Sequence, residues 1–165
     1  MATEWALRSF FGRVTYNFNS KYLFEFNIRR DGSSRFGANN RWATFPSLSA
    51  GWVISREEFF DGIGAIDFLK VRASWGQLGN QNLGGGELSS DNSGNDYPFA
   101  ANISFDQAYN FGGTIVGAAA QTTLGNPNIK WETTEQVDIG LDMSMLGGAL
   151  NVEADYFVRT ASDIL

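Results

Sequence analysis

The sequence predicts an all-β fold of antiparallel, up-and-down strands. Three observations carry that prediction: side-chain character alternates with a period of two, the composition favours strands, with Gly at 19, Phe at 14 and Pro at only 3, and the connections between alternating runs are in turn short and long.

The first strand is expected at 9–19, where Phe10, Gly12, Val14, Tyr16 and Phe18 alternate with Arg13, Thr15, Asn17 and Asn19. Asn19-Ser20-Lys21 turns the chain into a second strand at 21–31, with Tyr22, Phe24, Phe26 and Ile28 on one face, and this spacing makes a hairpin. A polar stretch at about 31–43 follows, in which Asp31-Gly32-Ser33-Ser34 is expected to reverse the chain. The third strand, 44–55, carries Leu48, Ala50, Trp52 and Ile54 on one side. An intermediate connection at about 56–67 holds Glu57-Glu58, which suit the start of a helical turn, before a fourth strand at 68–79 with Leu69, Val71, Ala73 and Trp75. Residues 80–130 read as one long loop rich in Gly, Asn, Asp and Ser, far beyond the ~12–15 residues at which an unstructured loop is unusual in a compact domain. Two last strands, 130–146 and 149–160, meet at Gly147-Gly148.

Gathered on one face, the apolar residues of these six runs carry no charge across their middle, whereas the other face holds Arg13, Glu25, Lys70, Arg72, Asp138, Asp142, Glu153 and Asp155. Polar residues interrupt the apolar face only at the long-connection ends, at Arg8, Arg30, Thr44, Gln77, Glu135 and Thr160. From Val137 to Met145 the apolar band spans nine residues, close to the roughly 9–11 that a tilted strand needs to cross hydrocarbon. Tyr16, Phe18 and Tyr22 near the short turns, and Phe10, Trp75 and Tyr156 nearer the long loops, suit two aromatic girdles. Short turns at one end and long loops at the other are the asymmetry of bacterial outer-membrane barrels. The competing arrangement is a soluble β-sandwich whose two sheets share the apolar face as a core, serving as a glycan-binding module or a surface adhesin. Val14, Phe24, Trp52, Val71, Ile139 and Val152 separate the two: they share one convex, lipid-facing side in a barrel and are buried together in a sandwich.

Composition narrows the chemistry. The chain has no cysteine and no histidine, which removes disulfides, thiol catalysis and the commonest metal ligand, and nothing calls for a cofactor. A net charge of −6 argues against a nucleic-acid partner, because phosphate binding needs a concentrated positive face. Asp138 and Asp142 lie on one side of one strand but about 13 Å apart by strand rise, too far for the paired carboxylates of a glycosidase. "GNQNLGGGE" lacks the Lys-Ser/Thr ending and the following helix of a phosphate loop. The chain is therefore expected not to be an enzyme.

Three stretches, "FGRVTYNFNSKYLFEFNIRRDGSSRFGANNRWATFPSLSAGWVISREEFF", "DFLKVRASWGQLGNQN" and "NPNIKWETTEQVDIGLDMSMLGGALNVEADYFVRTASDIL", closely resemble the late barrel region of SusC/RagA-like TonB-dependent outer-membrane transporters. The resemblance covers nearly all of the chain outside residues 83–124. It implies that residues 1–165 are a six-strand segment of a 22-strand barrel, a piece of a longer protein whose plug and remaining strands lie elsewhere. It also implies import of oligosaccharides or peptides driven through TonB, which the absent N-terminal region would contact, with a SusD-like lipoprotein as lid and outer-membrane lipid around the barrel. On that reading the charged face becomes the lumen wall. Arg35, Phe36 and Trp42 of the polar stretch, with Tyr97, Phe99 and Tyr109 of the long loop, are the candidates to line an outer vestibule, offering donors and stacking surface to cargo. The alternatives are that the first three only shape the rim and that the loop aromatics pack the loop upon itself.

Overall fold

The computed structural model describes residues 4–82, 97–101, 103–121 and 124–163. The six expected strands form one antiparallel sheet: β1 (Leu7–Phe18), β2 (Tyr22–Ser33), β3 (Trp42–Val53), β4 (Ile66–Asn80), β7 (Glu132–Met145) and β8 (Leu150–Ser162), in the spatial order β1-β2-β3-β4-β7-β8. Between β4 and β7 the chain forms a separate two-stranded hairpin, β5 (Ile103–Phe111) and β6 (Thr114–Gln121). The stretch expected as one long loop at 80–130 thus contains its own ladder. Residues 83–96, including Gly84-Gly85-Gly86, lie outside the described residues.

Register fixes the faces, because successive side chains of a strand point to opposite sides of the sheet. One register row runs Tyr16, Phe24, Ala50, Ala73, Ile139 and Tyr156 across all six strands, and the neighbouring row on the same face includes Trp52, Val71, Leu141 and Ala154. In a sandwich this face would be the core. Instead Val14 is 66% exposed, Phe24 48%, Ile139 56% and Tyr156 71%. The apolar side is an outer surface, as a lipid-facing barrel wall requires, and the sandwich is excluded.

What core there is sits at the long-connection end. Phe36, Phe45, Ile129 and Trp131 are buried together, with Ala43 and Phe99 packed against them. Pro46 has no N–H to give to a ladder, and the β3–β4 pairing stops beside it, at Ser47 opposite Gly76. Beyond that point Phe45 lays its ring on Gly79, where a Cβ would come within 1.9 Å of it.

The turns at the other end are made by backbone conformation. Asn19 and Ser20 take φ of 51° and 55°, the paired positive values of a type I′ hairpin, closed by the Lys21 N–H donating to the Phe18 carbonyl at 3.0 Å. Gly147 and Gly148, at 66° and 83°, do the same between β7 and β8. The third connection there holds two 3₁₀ turns, Ile54–Arg56 and Glu58–Phe60. Glu57 caps the second without a side-chain capping bond.

Candidate functional site

The inward, polar face is the candidate site. Its register rows read Arg13-Asn27-Ser47-Gly76-Gln136-Arg159, then Thr15-Glu25-Ser49-Ser74-Asp138-Phe157, then Asn17-Leu23-Gly51-Arg72-Gly140-Asp155, then Val53-Lys70-Asp142-Glu153. Strand pairing alone therefore brings residues distant in sequence into one wall. Two recesses of about 410 and 900 Å³ open on this face, the first beside Glu25, Lys70, Arg72 and Asp138, the second beside Arg13, Asn27, Arg29 and Gln136.

The charges of the wall are mostly joined. Arg72 donates to Asp142 at 3.1 Å through Nε and to Asp155 at 2.9 Å through Nη2, and Lys70 approaches Asp142 at 3.4 Å. Gly140 makes this possible: it stands between Arg72 and Asp155 in the register, and a Cβ there would lie 2.5 Å from Asp155 and 2.8 Å from Arg72. The missing side chain is the path by which one guanidinium ties β4 to both β7 and β8. Asp138 accepts from Ser74 Oγ at 3.0 Å and Gln136 Nε2 at 2.9 Å, so the two aspartates of β7 have separate partners. Arg13 donates to Asn27 at 2.7 Å and faces Glu25 at 3.7 Å. Glu153 is exposed beside Asp142. Partly exposed pairs of this kind add little stability each, typically 0–1 kcal/mol. Their effect is a hydrated, positioned surface of both signs.

The structure redistributes the six vestibule candidates. Phe36 is fully buried, stacked on Trp131 at 5.0 Å between ring centroids, so it offers no open surface. Trp42 is not in a loop. β2 continues through Asp31-Gly32-Ser33, the chain reverses at 34–41, and Trp42 opens β3 with the parity of Thr44, Pro46 and Leu48, on the outward face. There it covers Gly32 and stacks on Phe10 at 6.0 Å, in the position of a lipid-side girdle rather than a vestibule. Arg35 lies half-buried with its guanidinium 4.8 Å over the ring of Trp5. Tyr97 donates to the Glu4 carbonyl and meets Phe99 edge-on at 6.1 Å, which places both at the base of the long connection. Tyr109 is 60% exposed on β5 beside Phe111.

Residues that sequence reasoning passed over hold the rim. Trp131 donates from Nε1 to the Arg41 carbonyl at 3.2 Å, and Asn40 donates from Nδ2 to the Ile129 carbonyl at 3.1 Å, tying loop 34–41 to the approach to β7. Asp31, expected to help reverse the chain, lies instead within β2, where it is 4% exposed and accepts from Arg29 at 2.8 Å. At the opposite end Glu57 accepts from Lys21 Nζ and Trp52 Nε1, each at 3.1 Å, while Arg56 donates to the Ser20 carbonyl at 3.2 Å. Hydrogen bonds from Tyr22, Trp52 and Lys21 hold the Glu57 carboxyl below its ordinary range.

An exposed apolar outer face, a hydrated inner face and long connections at one end define the class: this sheet is wall from a membrane-spanning antiparallel β-barrel. Comparison with known proteins agrees and is more specific. Residues 2–165 match the TonB dependent receptor-like β-barrel family, and the chain belongs to that family. It is 40% identical over 164 residues to TonB-dependent receptor P39 of Formosa agariphila and 38% identical over 168 residues to TonB-dependent receptor SusC of Bacteroides thetaiotaomicron, in each case over 99% of this chain. A solved structure of the RagAB peptide transporter superposes on 98% of the chain with a TM-score of 0.78 at 30% identity. The chain spans only 14% and 16% of those two receptors and 16% of the matched transporter chain.

Proposed function

We propose that this chain is lumen and rim wall of an energy-coupled outer-membrane importer that takes in oligosaccharides or peptides. The observation that carries the reading is the outward apolar face, exposed on β1, β2, β3, β7 and β8, half-buried on β4, and backed by a charged inner face. A solvated sheet has no use for Phe24, Ile139 and Tyr156 in water; a lipid-facing wall does. The inner face suits passage, because dispersed donors and acceptors hydrate a cargo without holding it at one reactive point. Arg35, Tyr97, Phe99 and Tyr109 remain the vestibule candidates, of which Tyr109 has the freest ring. The β5–β6 hairpin extends Phe105, Tyr109, Phe111 and Ile115, exposed by 80, 60, 71 and 76%, and is the surface on which a SusD-like lid lipoprotein would close.

Two experiments test this reading. The 165 residues alone, in buffer without detergent, should elute as associated material, because the apolar face and the β1 and β8 edges both become association surfaces. A monodisperse monomer with a cooperative melt would return the soluble alternative. In cells, the intact protein should accumulate labelled oligosaccharide or peptide only while TonB is present. Uptake indifferent to TonB, or hydrolysis of the cargo by the purified protein, would end the importer reading.

A further inference from the structure

Arg8, Arg30 and Thr44 stand together on the outward face at the long-connection end of the wall. Register sets Arg30 between Phe10 and Thr44 and sets Arg8 opposite Gly32. Arg8 and Arg30 are therefore diagonal neighbours across β1 and β2, roughly 7–8 Å apart and within reach of one common group. All three side chains are exposed. The Arg30 guanidinium lies 5.4 Å over the Trp42 ring, which in turn stacks on Phe10. Along β2, Arg30 is two residues beyond Ile28, about 7 Å further from the apolar band by strand rise. That is the height of headgroups, not of acyl chains.

Charge balance sets the pair apart from the cations on the inner side of β1, β2 and β4. Arg13, Arg29, Lys70 and Arg72 each approach a carboxylate on the inner face, at 3.7, 2.8, 3.4 and 2.9–3.1 Å. Glu135, also on the outward face, accepts from Trp75 at 2.9 Å and Gln77 at 3.4 Å. Arg8 and Arg30 have no acidic partner among the described residues, and two adjacent guanidiniums repel one another. An anion at that level would satisfy both. Phosphate fits the geometry, since guanidinium forks bind it bidentately and the Thr44 hydroxyl supplies a further donor. Resting on the outer-membrane reading above, we propose that Arg8, Arg30 and Thr44 form a lipid-facing site for the phosphate of an outer-leaflet lipid headgroup. Phe10 shares the register row of Arg30 and Thr44, and Trp42 that of Arg8, so both rings stand at the level of the site, as aromatic residues of a membrane interface do.

The test uses the intact protein purified from the outer membrane and placed in mixed micelles with diphosphoryl lipid A, with bound lipid counted by native mass spectrometry. Arg8→Ser combined with Arg30→Ser should lower retention about tenfold or more, the scale of a lost charge-assisted contact. Dephosphorylated lipid A should bind weakly to parent and variant alike. Equal retention by parent and variant, or of phosphorylated and dephosphorylated lipid, overturns the assignment. Displacement by inorganic phosphate at matched concentration also overturns it, because the ligand is then free phosphate. If the serine pair does not assemble, Arg8→Lys with Arg30→Lys keeps the charge and removes the forks; reduced preference for phosphorylated lipid supports the site and an unchanged preference overturns it. Membrane fractionation keeps the two readings apart: protein found soluble refutes the outer-membrane reading itself, whereas membrane-inserted protein with unaltered lipid retention refutes only this site.

Discussion

The two ends of this wall solve the same problem, reversing the chain, by different physics. At the short-turn end the reversals at 19–21 and 146–149 are set by left-handed backbone at Asn19, Ser20, Gly147 and Gly148, and need almost no packing. Polar contacts then lock them: the Gly148 N–H donates to Asp67 at 3.1 Å, and Glu57 gathers Lys21 and Trp52. At the long-connection end the loops are too long for a turn type to specify. They are held by a small buried core of Phe36, Phe45, Ile129 and Trp131, the place in the described molecule where several large apolar side chains leave solvent together. A wall whose main apolar face belongs to lipid has little interior, and spends it where loop geometry has to be fixed.

If that contrast is right, emptying the rim core should have the largest effect. Phe36→Ala removes a fully buried ring, a change that costs about 3–5 kcal/mol in a packed interior. In the intact barrel the loss should appear locally, as rapid proteolysis within 34–41 and 124–131, while the six wall strands stay protected. Unchanged cleavage there would mean that the loops are fixed by something other than this core.

A smaller effect is expected at the other end, where conformation rather than burial is at stake. Gly148 has φ of 83° with nothing near its missing Cβ, so Gly148→Val meets strain and no clash. Left-handed backbone costs about 1–2 kcal/mol in such a residue, and Gly148→Asn should cost less because asparagine tolerates that region. Urea midpoints of the barrel in micelles rank the three. Equal midpoints for the valine and glycine forms would show that the turn does not depend on backbone conformation.

The same division explains what the sequence disclosed. Strands and faces were legible because alternation is local: all six predicted runs are strands, and Val14, Phe24, Trp52, Val71, Ile139 and Val152 share the outward side. Trp42 read as a loop residue because β3 was expected to start at 44, whereas the alternation Trp42, Thr44, Pro46, Leu48 already includes it. The β5–β6 hairpin did leave a signal, Gly112-Gly113 with φ of 57° and 90° between Phe111 and Thr114. Its second strand, TIVGAAAQ, is too rich in small residues to show a period. Phe36 could not be read at all, because its burial depends on Ile129 and Trp131, more than ninety residues further along the chain. The reach of Arg72 to Asp155 on the next strand was hidden for the same reason. Only the register sets Gly140 between Arg72 and Asp155.

The smallest expected effect isolates the polar lock. Glu57 lies in the connection after β3, outside the membrane-crossing strands, and its carboxylate accepts hydrogen bonds from Tyr22, Trp52 and Lys21 that hold its pKa below the ordinary value. A carboxyl depressed in the folded state binds fewer protons there than in the unfolded chain, so it contributes stability above its unfolded pKa. That contribution is lost as the pH falls through the lower, folded value. Between neutral pH and the ordinary carboxylate range the lock should therefore hold steady, and below that range it should open. Glu57→Gln keeps the shape and removes the charge, so the variant should start slightly less stable at neutral pH and lose less on acidification. Urea midpoints of parent and variant, measured from neutral to acid, should converge as the pH drops. Midpoints that fall in parallel would show that protonation of Glu57 carries no part of the acid response, and that the backbone turns hold the short-turn end without it.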